Sequence, residues 1–201
     1  GMRGFFQHVN DNDLLPGYEI ELAIEDDQYN ANLTTGAVER LIDETGVNLF
    51  SGIIGTPNNL AVRDLLNGEC YPQLFNLTGS PEWGDVANYP WTTGALVPYN
   101  TETAIYVENM QEQFPDGGTA AVFYVNSEFG EAYSVAFNEL APDASIEILE
   151  EQTIEATDSN PPTSQITAIS EQTPDIILAV PLGAQCPAFL SELANAKAAN
   201  P

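Results

Sequence analysis

The feature that most constrains this fold is the alternation of short apolar runs with helical stretches. Runs rich in apolar and β-branched residues at 48–54, 71–75, 119–125 and 175–180 each end in a loop of small, hydroxyl-bearing or glycine residues. A helical stretch follows each loop. Strands that alternate with helices are typical of a parallel, doubly wound sheet, whose ligands bind at the carboxyl ends of the strands. The sequence therefore predicts an α/β protein with its candidate site in these loops.

The segment 83–98 interrupts this alternation. It contains both tryptophans together with several prolines and glycines, and it shows no helical period. Similar strand–helix series precede and follow it. We therefore expect two doubly wound, mostly parallel sheet lobes, a first lobe of residues 1–95 and a second lobe of residues 96–201, joined near residues 93–99.

Apolar periodicity predicts the individual elements of both lobes. Helices are expected at 1–10, 32–44, 58–66, 101–114, 128–140, 163–172 and 186–198, and strands at 18–24, 49–54, 74–75, 119–125, 145–150 and 176–180. Asn32 or Thr34 is the expected cap of the second helix. Because the sequence starts within a helical pattern and ends after one, we expect a fragment in which the first lobe lacks its first strand and the second lobe is truncated.

The charge balance argues against one class of partner. Thirty acidic residues stand against four basic ones, which gives a formal net charge of -26. A field of this sign repels phosphate backbones, so we expect no nucleic-acid binding. Solubility, for instance in a saline habitat, accounts for the acidity, and an acidic surface that attracts cations or a basic partner is the alternative.

The sequence shows no catalytic or metal-binding motif. The single histidine, His8, belongs to no recognisable set with a serine and an acid, and glycine-rich nucleotide motifs are missing. Cys70 and Cys186 form no CxxC pair, and we predict that they are separate buried thiols in different lobes. We therefore expect a binding protein and not an enzyme, with no cofactor and no metal site.

Taken in chain order, several short pieces of this sequence resemble one known family. They are Val9-Asn10-Asp11, Tyr18-Glu19-Ile20-Glu21-Leu22 with Asp26-Asp27-Gln28-Tyr29, Gly52-Ile53-Ile54-Gly55-Thr56, Tyr71-Pro72-Gln73-Leu74-Phe75, Thr78-Gly79-Ser80-Pro81-Glu82-Trp83, Tyr89-Pro90-Trp91-Thr92-Thr93-Gly94, and Ala121-Val122-Phe123-Tyr124-Val125-Asn126 with Phe129-Gly130. The family is that of the substrate-binding proteins of ABC transporters for branched-chain amino acids, amides and related small molecules. Its members are leucine-binding-protein-like and have the type I periplasmic-binding fold. The resemblance covers the whole chain.

The resemblance implies a ligand that lies between the lobes and is held mainly by the first lobe. Gly55 and Thr56 fall on the loop that supplies a hydroxyl and an N–H group to the ligand's carboxylate in this family. Thr78, Gly79 and Ser80 fall on the next loop, which supplies backbone groups and a second hydroxyl. Helix N-termini and hydroxyls are good donors to a carboxylate. The alternative is that these threonines and the serine only cap helices.

The resemblance also implies contacts from the second lobe. Phe129 falls where an aromatic residue, often tyrosine in the family, closes over the ligand. Leu182 lies in a further closing loop, and Asn100 or the adjacent Tyr99 is placed for a contact in the cleft. The two tryptophans are expected to pack the lobe or the hinge, with ligand stacking as the alternative.

From the resemblance we expect the extracytoplasmic solute-binding component of an ABC importer. It would capture an amino acid, an amide or a related carboxylate in the cleft between the lobes and close by hinge rotation. The implied partner is the ABC permease in the membrane, and the implied location is periplasmic or otherwise extracytoplasmic, with or without a lipid anchor. A ligand-sensing receptor domain of the same fold is the alternative, and an α/β enzyme is disfavoured by the missing catalytic residues.

Overall fold

Two separate parallel sheets form the framework of the protein, which we describe for residues 1–199 from a computed structural model. The first sheet has the order β1-β2-β3, with strands β1 (Phe50–Ser51), β2 (Gln73–Asn76) and β3 (Thr92–Gly94). The second sheet has the order β5-β4-β6, with strands β4 (Gly118–Asn126), β5 (Ile146–Glu155) and β6 (Ile176–Val180). Every strand pair is parallel. The predicted α/β class with parallel sheets is confirmed.

Helices connect these strands and cover the sheets. They are α1 (Met2–Asp11), α2 (Ala31–Arg40), α3 (Thr56–Gly68), α4 (Tyr99–Gln113), α5 (Glu128–Leu140), α6 (Thr163–Gln172) and α7 (Gln185–Ala199). A π-helical turn continues α2 as far as Thr45, and short 3-10 turns follow Ser80 and Ala141. The bounds of α5, α6 and β6 coincide with those that the sequence predicts.

The second sheet has an apolar core on both faces. Its central strand β4 supplies the fully buried residues Ala120, Ala121, Val122, Phe123 and Val125. One face packs against residues of α4 and α5, and the other packs against residues of α6 and α7. A central parallel strand is covered on both sides, and this explains its continuous apolar run.

The first sheet is shorter and more polar. Its apolar cluster consists of Val38, Phe50, Val62 and Leu66 with partly buried neighbours. The strand side chains of Gln73, Asn76 and Thr92 are also buried. Amide and hydroxyl groups therefore occupy interior positions that apolar side chains hold in the second sheet.

The predicted strand at 18–24 is wrong, because none of the described residues pairs with this segment as a strand. A strand exists only with a ladder partner, which an alternating pattern alone does not supply. Here the side chain of Asn10 replaces the partner at one point. Its Oδ1 accepts from the N–H of Ile20 at 2.9 Å, and its Nδ2 donates to the carbonyl of the same residue at 2.8 Å.

Strand β3 was not predicted, because it is three residues long and lies in the segment rich in proline and glycine. The first strand is shorter than predicted, since the chain leaves β1 at Gly52, where φ is +72°. In the second sheet β5 is longer than predicted and extends to Glu155.

Two smaller expectations also need correction. Asn30, and neither Asn32 nor Thr34, caps α2, because its side chain accepts from the N–H of Asn32 at 3.0 Å. Cys70 and Cys186 are free thiols, but both are exposed and not buried. Each lies at or beside the end of a helix and outside the apolar clusters.

The two sheets lie on either side of the predicted lobe boundary. Strand β3 ends at Gly94, and α4, the first helix before the second sheet, begins at Tyr99. The bounds 1–95 and 96–201 stay a prediction. The residues before 96 are called the first lobe and the residues from 96 onward the second lobe.

Candidate functional site

Two threonines from neighbouring strand ends meet inside the first lobe. Thr56 is the first residue of α3, and Thr78 follows β2. Their hydroxyl oxygens are 2.5 Å apart, and the two residues are only 1% and 0% exposed. Because the carboxyl ends of parallel strands meet at one edge of the sheet, the two loops that the sequence singled out come together here.

Gly55 allows a tyrosine to cover this edge of the sheet. Its φ is +97°, and a Cβ at this position would lie 2.8 Å from the ring of Tyr29 and from Oδ1 of Asn58. Any side chain here would therefore be strained and would displace Tyr29. The Tyr29 ring consequently rests directly on the backbone that precedes Thr56.

The loop that presents Tyr29 is built by two aspartates. Gln28 and Tyr29 both have a φ of +55°, an uncommon conformation for residues other than glycine. Asp26 and Asp27 stabilise it, because their Oδ1 atoms accept from the N–H groups of Gln28 at 2.8 Å and Tyr29 at 3.0 Å. Burial, with smaller contributions from Tyr99 and Asp27, raises the pKa of the Tyr29 phenol, so this group is a neutral hydroxyl at physiological pH.

Residues 78–80 form a tight loop that other side chains hold in place. The carbonyl of Thr78 accepts from the indole N–H of Trp83 at 3.1 Å, and the hydroxyl of Thr78 accepts from the N–H of Ser80 at 3.3 Å. The hydroxyl of Ser80 accepts from the N–H of Glu82 at 3.3 Å and so caps the following 3-10 turn. Trp83 is therefore a packed residue of the first lobe, whereas Trp91 is 41% exposed.

Tyr99 connects this loop to the second lobe. Its N–H donates to the carbonyl of Gly79 at 2.7 Å, and its hydroxyl donates to that of Thr78 at 3.1 Å. A Cβ on Gly79 would lie 2.3 Å from the carbonyl oxygen of Val97 and 2.7 Å from the Tyr99 ring, so only glycine fits. The sequence named Tyr99 only as an alternative to Asn100, which the structure places on the exposed surface at the start of α4.

An aromatic cluster continues from Tyr99 into the second lobe. The ring of Phe129 makes an edge contact with that of Tyr99 at a centroid distance of 5.3 Å, and the ring of Tyr133 stacks on Tyr99 at 4.6 Å. The Tyr133 hydroxyl donates to Glu102, and burial together with this hydrogen bond raises its pKa. Phe129, which is half-buried, is thus joined to the threonine pair through Tyr99.

Leu182 lies at another corner of the second lobe. It is half-buried just after β6, and its N–H donates to Oε1 of Gln185 at 3.2 Å. Since β4 and β6 are parallel, Leu182 and Phe129 follow the same edge of the second sheet. The contacts of Tyr29 and Tyr99 described above bring Gly55, Thr56, Thr78, Gly79 and Phe129 into one connected cluster with Tyr99, and Leu182 lies outside it.

An open surface groove of about 830 Å³ lies elsewhere on the first lobe. Residues of α3 and of the segment 82–91 line it. The Arg63 guanidinium lies 3.7 Å from the centroid of the Tyr89 ring and binds a carboxylate oxygen of Glu82 at 3.0 Å. None of the groove residues belongs to the predicted set, and we assign the candidate site to the buried threonine cluster.

The chemistry of this cluster suits recognition of a small anion. It offers hydroxyl groups and the N-terminus of α3, with tyrosine and phenylalanine rings beside them. In residues 1–199 no group of three or more histidine, cysteine or acidic side chains is placed to hold a metal ion. Over the same residues, no helix combines the length and apolar character that crossing a membrane requires.

Comparisons with known proteins agree with this fold. The family model described as periplasmic binding protein matches residues 1–199. A branched-chain amino acid ABC transporter protein from Thermus thermophilus, solved with bound valine, is similar with a TM-score of 0.81 and 19% identity, over 95% of this chain and 49% of that one. No curated protein sequence gave a match to this chain.

Two solute-binding proteins of ABC transporters from R. palustris are also similar. The protein solved with benzoate has a TM-score of 0.83 and 17% identity, over 98% of this chain and 54% of that one. The protein solved with 4-hydroxybenzoate has a TM-score of 0.81 and 18% identity, over 96% and 52%. At such identities the likeness shows the fold alone, and this chain spans about half the length of the solved proteins.

Proposed function

The chain belongs to the periplasmic binding protein family, and from that premise we propose that it is the ligand-binding part of an extracytoplasmic solute-binding protein of an ABC importer. The family is that of periplasmic binding proteins, and the relative solved with benzoate is described as a solute-binding protein of an ABC transporter. The proposed ligand is a small molecule with one carboxylate. The proposed partner is the ABC permease that receives the ligand.

The observation that carries this proposal is the threonine pair at the carboxyl ends of neighbouring parallel strands. Thr56 stands at the N-terminus of α3, where backbone N–H groups have no partner within the helix and the helix dipole is positive. The hydroxyl of Thr78 lies 2.5 Å from that of Thr56 and supports it from behind. A carboxylate needs several converging donors, and this corner of the sheet provides them without any cationic side chain.

The rest of the ligand is proposed to lie against aromatic rings. Tyr29 lies against the backbone that precedes Thr56, Tyr99 binds Thr78, and Phe129 packs against Tyr99. Valine and the two benzoates in the solved relatives share a carboxylate beside an apolar body. We propose that this chain recognises the same combination, in an amino acid or an aromatic acid.

Closure of the lobes over the ligand is the proposed mechanism. Tyr99 supports it, because its backbone and hydroxyl bind the first lobe while its ring belongs to the apolar cluster of the second. Tyr99 is also the first residue of α4, where the chain passes from the first lobe to the second, and we propose that the lobes turn about this crossing. Ligand would shift the population toward the closed form, which the permease would recognise.

Isothermal titration of the full protein against a panel of amino acids and aromatic acids tests the proposal. We expect one class of carboxylate to bind, and replacement of Thr56 by valine to weaken binding by about 1.5–3 kcal/mol, because a hydrogen bond to a charged group is lost while the shape is kept. Thr56→Ser should retain most of the affinity. Thr167→Val, at an exposed position of α6, is the matched control and should bind like the wild type. Unchanged affinity in Thr56→Val would remove Thr56 from the site.

A further inference from the structure

The hydroxyl of Thr78 receives two hydrogen bonds. Its oxygen accepts from the Tyr99 hydroxyl at 3.1 Å and from the N–H of Ser80 at 3.3 Å. A hydroxyl oxygen has two lone pairs, so both acceptor positions of Thr78 are filled. Its own proton therefore has to point to its remaining neighbour, the hydroxyl oxygen of Thr56 at 2.5 Å.

With the Thr78 proton assigned to Thr56, the hydroxyl proton of Thr56 is the one that remains without an assigned acceptor. Thr56 accepts from Thr78, and its oxygen has no other hydrogen-bond partner among residues 1–199. The hydroxyl proton of Thr56 consequently has no acceptor in the protein, although the residue is buried. A buried donor without an acceptor is costly, and a ligand oxygen at this point would satisfy it.

The direction of these hydrogen bonds, from Tyr99 through Thr78 to Thr56, depends on the Tyr99 hydroxyl. A phenol is a stronger hydrogen-bond donor than an aliphatic alcohol, so Tyr99 donates to Thr78 rather than accepting from it. The ring of Tyr99 is fixed by stacking on Tyr133 and by close contact with Gly79, which holds the hydroxyl in this geometry. Hydrogen bonds in such a chain polarise one another in the same sense.

We propose that Tyr99 is a positioning residue that makes Thr56 an obligatory, polarised donor and thereby strengthens binding of a carboxylate more than that of the corresponding amide. Tyr99 acts through Thr78 and needs no contact with the ligand. A ligand group that can only accept, such as a carboxylate oxygen, completes the chain. An ammonium group, which can only donate, would face a second donor. An amide can present its carbonyl oxygen, but this neutral acceptor gains less from a polarised donor than a charged carboxylate does. The inference rests on the proposed function and specifies how that same site discriminates between ligands.

The test compares an acid with its own amide in a variant that lacks only the phenol oxygen. Benzoate with benzamide and L-valine with L-valinamide are the probe pairs, and isothermal titration gives the ratio of acid to amide affinity. In Tyr99→Phe we expect binding of the acid to weaken about tenfold and binding of the amide to change less than about twofold. An equal loss for both probes, or an unchanged ratio, would overturn the proposal.

Tyr133→Phe is the matched control, because it removes a hydroxyl from the ring stacked on Tyr99 without touching the threonines. Its acid-to-amide ratio should equal that of the wild type, and a ratio that falls as in Tyr99→Phe would overturn the proposal. If Tyr99→Phe melts before binding can be measured, Thr78 decides the question. Thr78→Ser keeps the chain and should keep the ratio, whereas Thr78→Val breaks it and should lower the ratio.

The two levels of the proposal fail in different ways. If the wild-type protein binds no acid of the panel, the proposed function fails and the inference fails with it. If the wild type binds an acid but Tyr99→Phe and Thr78→Val keep its acid-to-amide ratio, only the role of Tyr99 is overturned. Selective loss of the acid in both variants, with retention in Thr78→Ser, supports the chain from Tyr99 to Thr56.

Discussion

The interiors of the two lobes are built from different groups. Nine of the twelve buried polar side chains found in residues 1–199 precede residue 96, whereas the large apolar clusters lie in the second lobe. The second sheet is held by apolar burial on both faces, which is strong and carries no directional information. The first sheet is held in good part by directional hydrogen bonds, and the same groups form the candidate site. In the first lobe, stability and recognition therefore depend on the same residues.

A hydrogen-bond network in the first lobe shows this dependence. The Nδ2 of Asn59 donates to the carbonyls of Ile53 at 2.9 Å and Gly55 at 2.7 Å, so it holds the backbone just before Thr56. Its Oδ1 accepts from Nε2 of Gln73 at 2.9 Å. One buried amide thus joins α3, β2 and the loop that carries the candidate site.

The largest effect is expected from apolar truncation in the second lobe. Phe137 on α5 is fully buried in the cluster that covers one face of the second sheet. Phe137→Ala should lower the free energy of unfolding by about 3–5 kcal/mol, because it loses apolar burial and leaves a cavity. Urea denaturation followed by circular dichroism measures this change.

The control for this prediction lies two residues away on the same helix. Val135 is 57% exposed, so Val135→Ala should change the unfolding free energy by less than about 0.5 kcal/mol. If the two variants were equally stable, apolar burial would not be what holds the second lobe, and the contrast between the lobes would disappear.

The next largest effect is expected from the polar interior of the first lobe. Asn59→Ala would remove three buried side-chain hydrogen bonds, those to the carbonyls of Ile53 and Gly55 and that from the amide of Gln73. Each of these groups would keep one backbone partner. We expect a loss of about 2–3 kcal/mol in unfolding free energy, since three buried hydrogen bonds are lost together. Ligand affinity should fall as well, because the backbone before Thr56 is released.

Asn88→Ala gives the matched control, because Asn88 is exposed and binds only the neighbouring Asp85. It should leave both stability and affinity unchanged. If Asn59→Ala lost stability but bound ligand with normal affinity, stability and recognition would depend on different residues. That result would contradict the idea that the first lobe combines them.

The second lobe was the part of the fold that could be predicted from the sequence. Helices α5 and α6 and strand β6 have the predicted bounds, because apolar periodicity reports burial and these elements are buried against apolar neighbours. In the first lobe this signal fails. The inward residues Gln73, Asn76 and Thr92 look like surface residues in the sequence. Strand β2 is therefore predicted as 74–75 only, and β3 is in addition only three residues long, in a segment rich in proline and glycine.

The candidate site was predicted in part for a related reason. Thr56 and Thr78 follow strands, so the topology of a parallel sheet is enough to bring them together. Tyr29 and Tyr99 reach them from a turn and from the start of a helix, and no spacing in the sequence signals these contacts. Gly55 and Gly79 are the sequence features that relate to these contacts, because a tyrosine ring approaches the backbone closely at each of them.

A smaller effect, of opposite sign, is expected at Asn76. Both side-chain polar atoms of this buried residue lack a hydrogen-bond partner, although it lies in the polar interior of the first lobe. Asn76→Leu is similar in shape and removes the unsatisfied groups, so we expect stability to rise by about 1 kcal/mol. The same urea titration measures it. Lower stability would overturn this prediction.

The smallest effect is expected at the exposed edge of the second lobe, where polar contacts exist but lie outside the core. Oδ2 of Asp175 accepts from the N–H of Thr119 at 2.9 Å and from its hydroxyl at 2.8 Å. These bonds, the backbone one first, lower the pKa of Asp175. A carboxyl group with a lowered folded-state pKa contributes stability above its unfolded pKa of about 4 and loses that contribution as the pH falls through the folded value.

Because Asp175 is fully exposed, this acid-dependent contribution should be small beside the loss in Phe137→Ala. Thr119→Val removes the hydroxyl but keeps the backbone donor, so the pKa of Asp175 should move only part of the way back toward its ordinary value. An NMR titration of the Asp175 carboxyl resonance in both proteins measures the shift. An unchanged titration midpoint in Thr119→Val would show that the Thr119 hydroxyl does not influence the pKa of Asp175. A large loss of stability in Thr119→Val near neutral pH would show that the second lobe, too, depends on directional polar contacts. The contrast with the first lobe would then be one of degree.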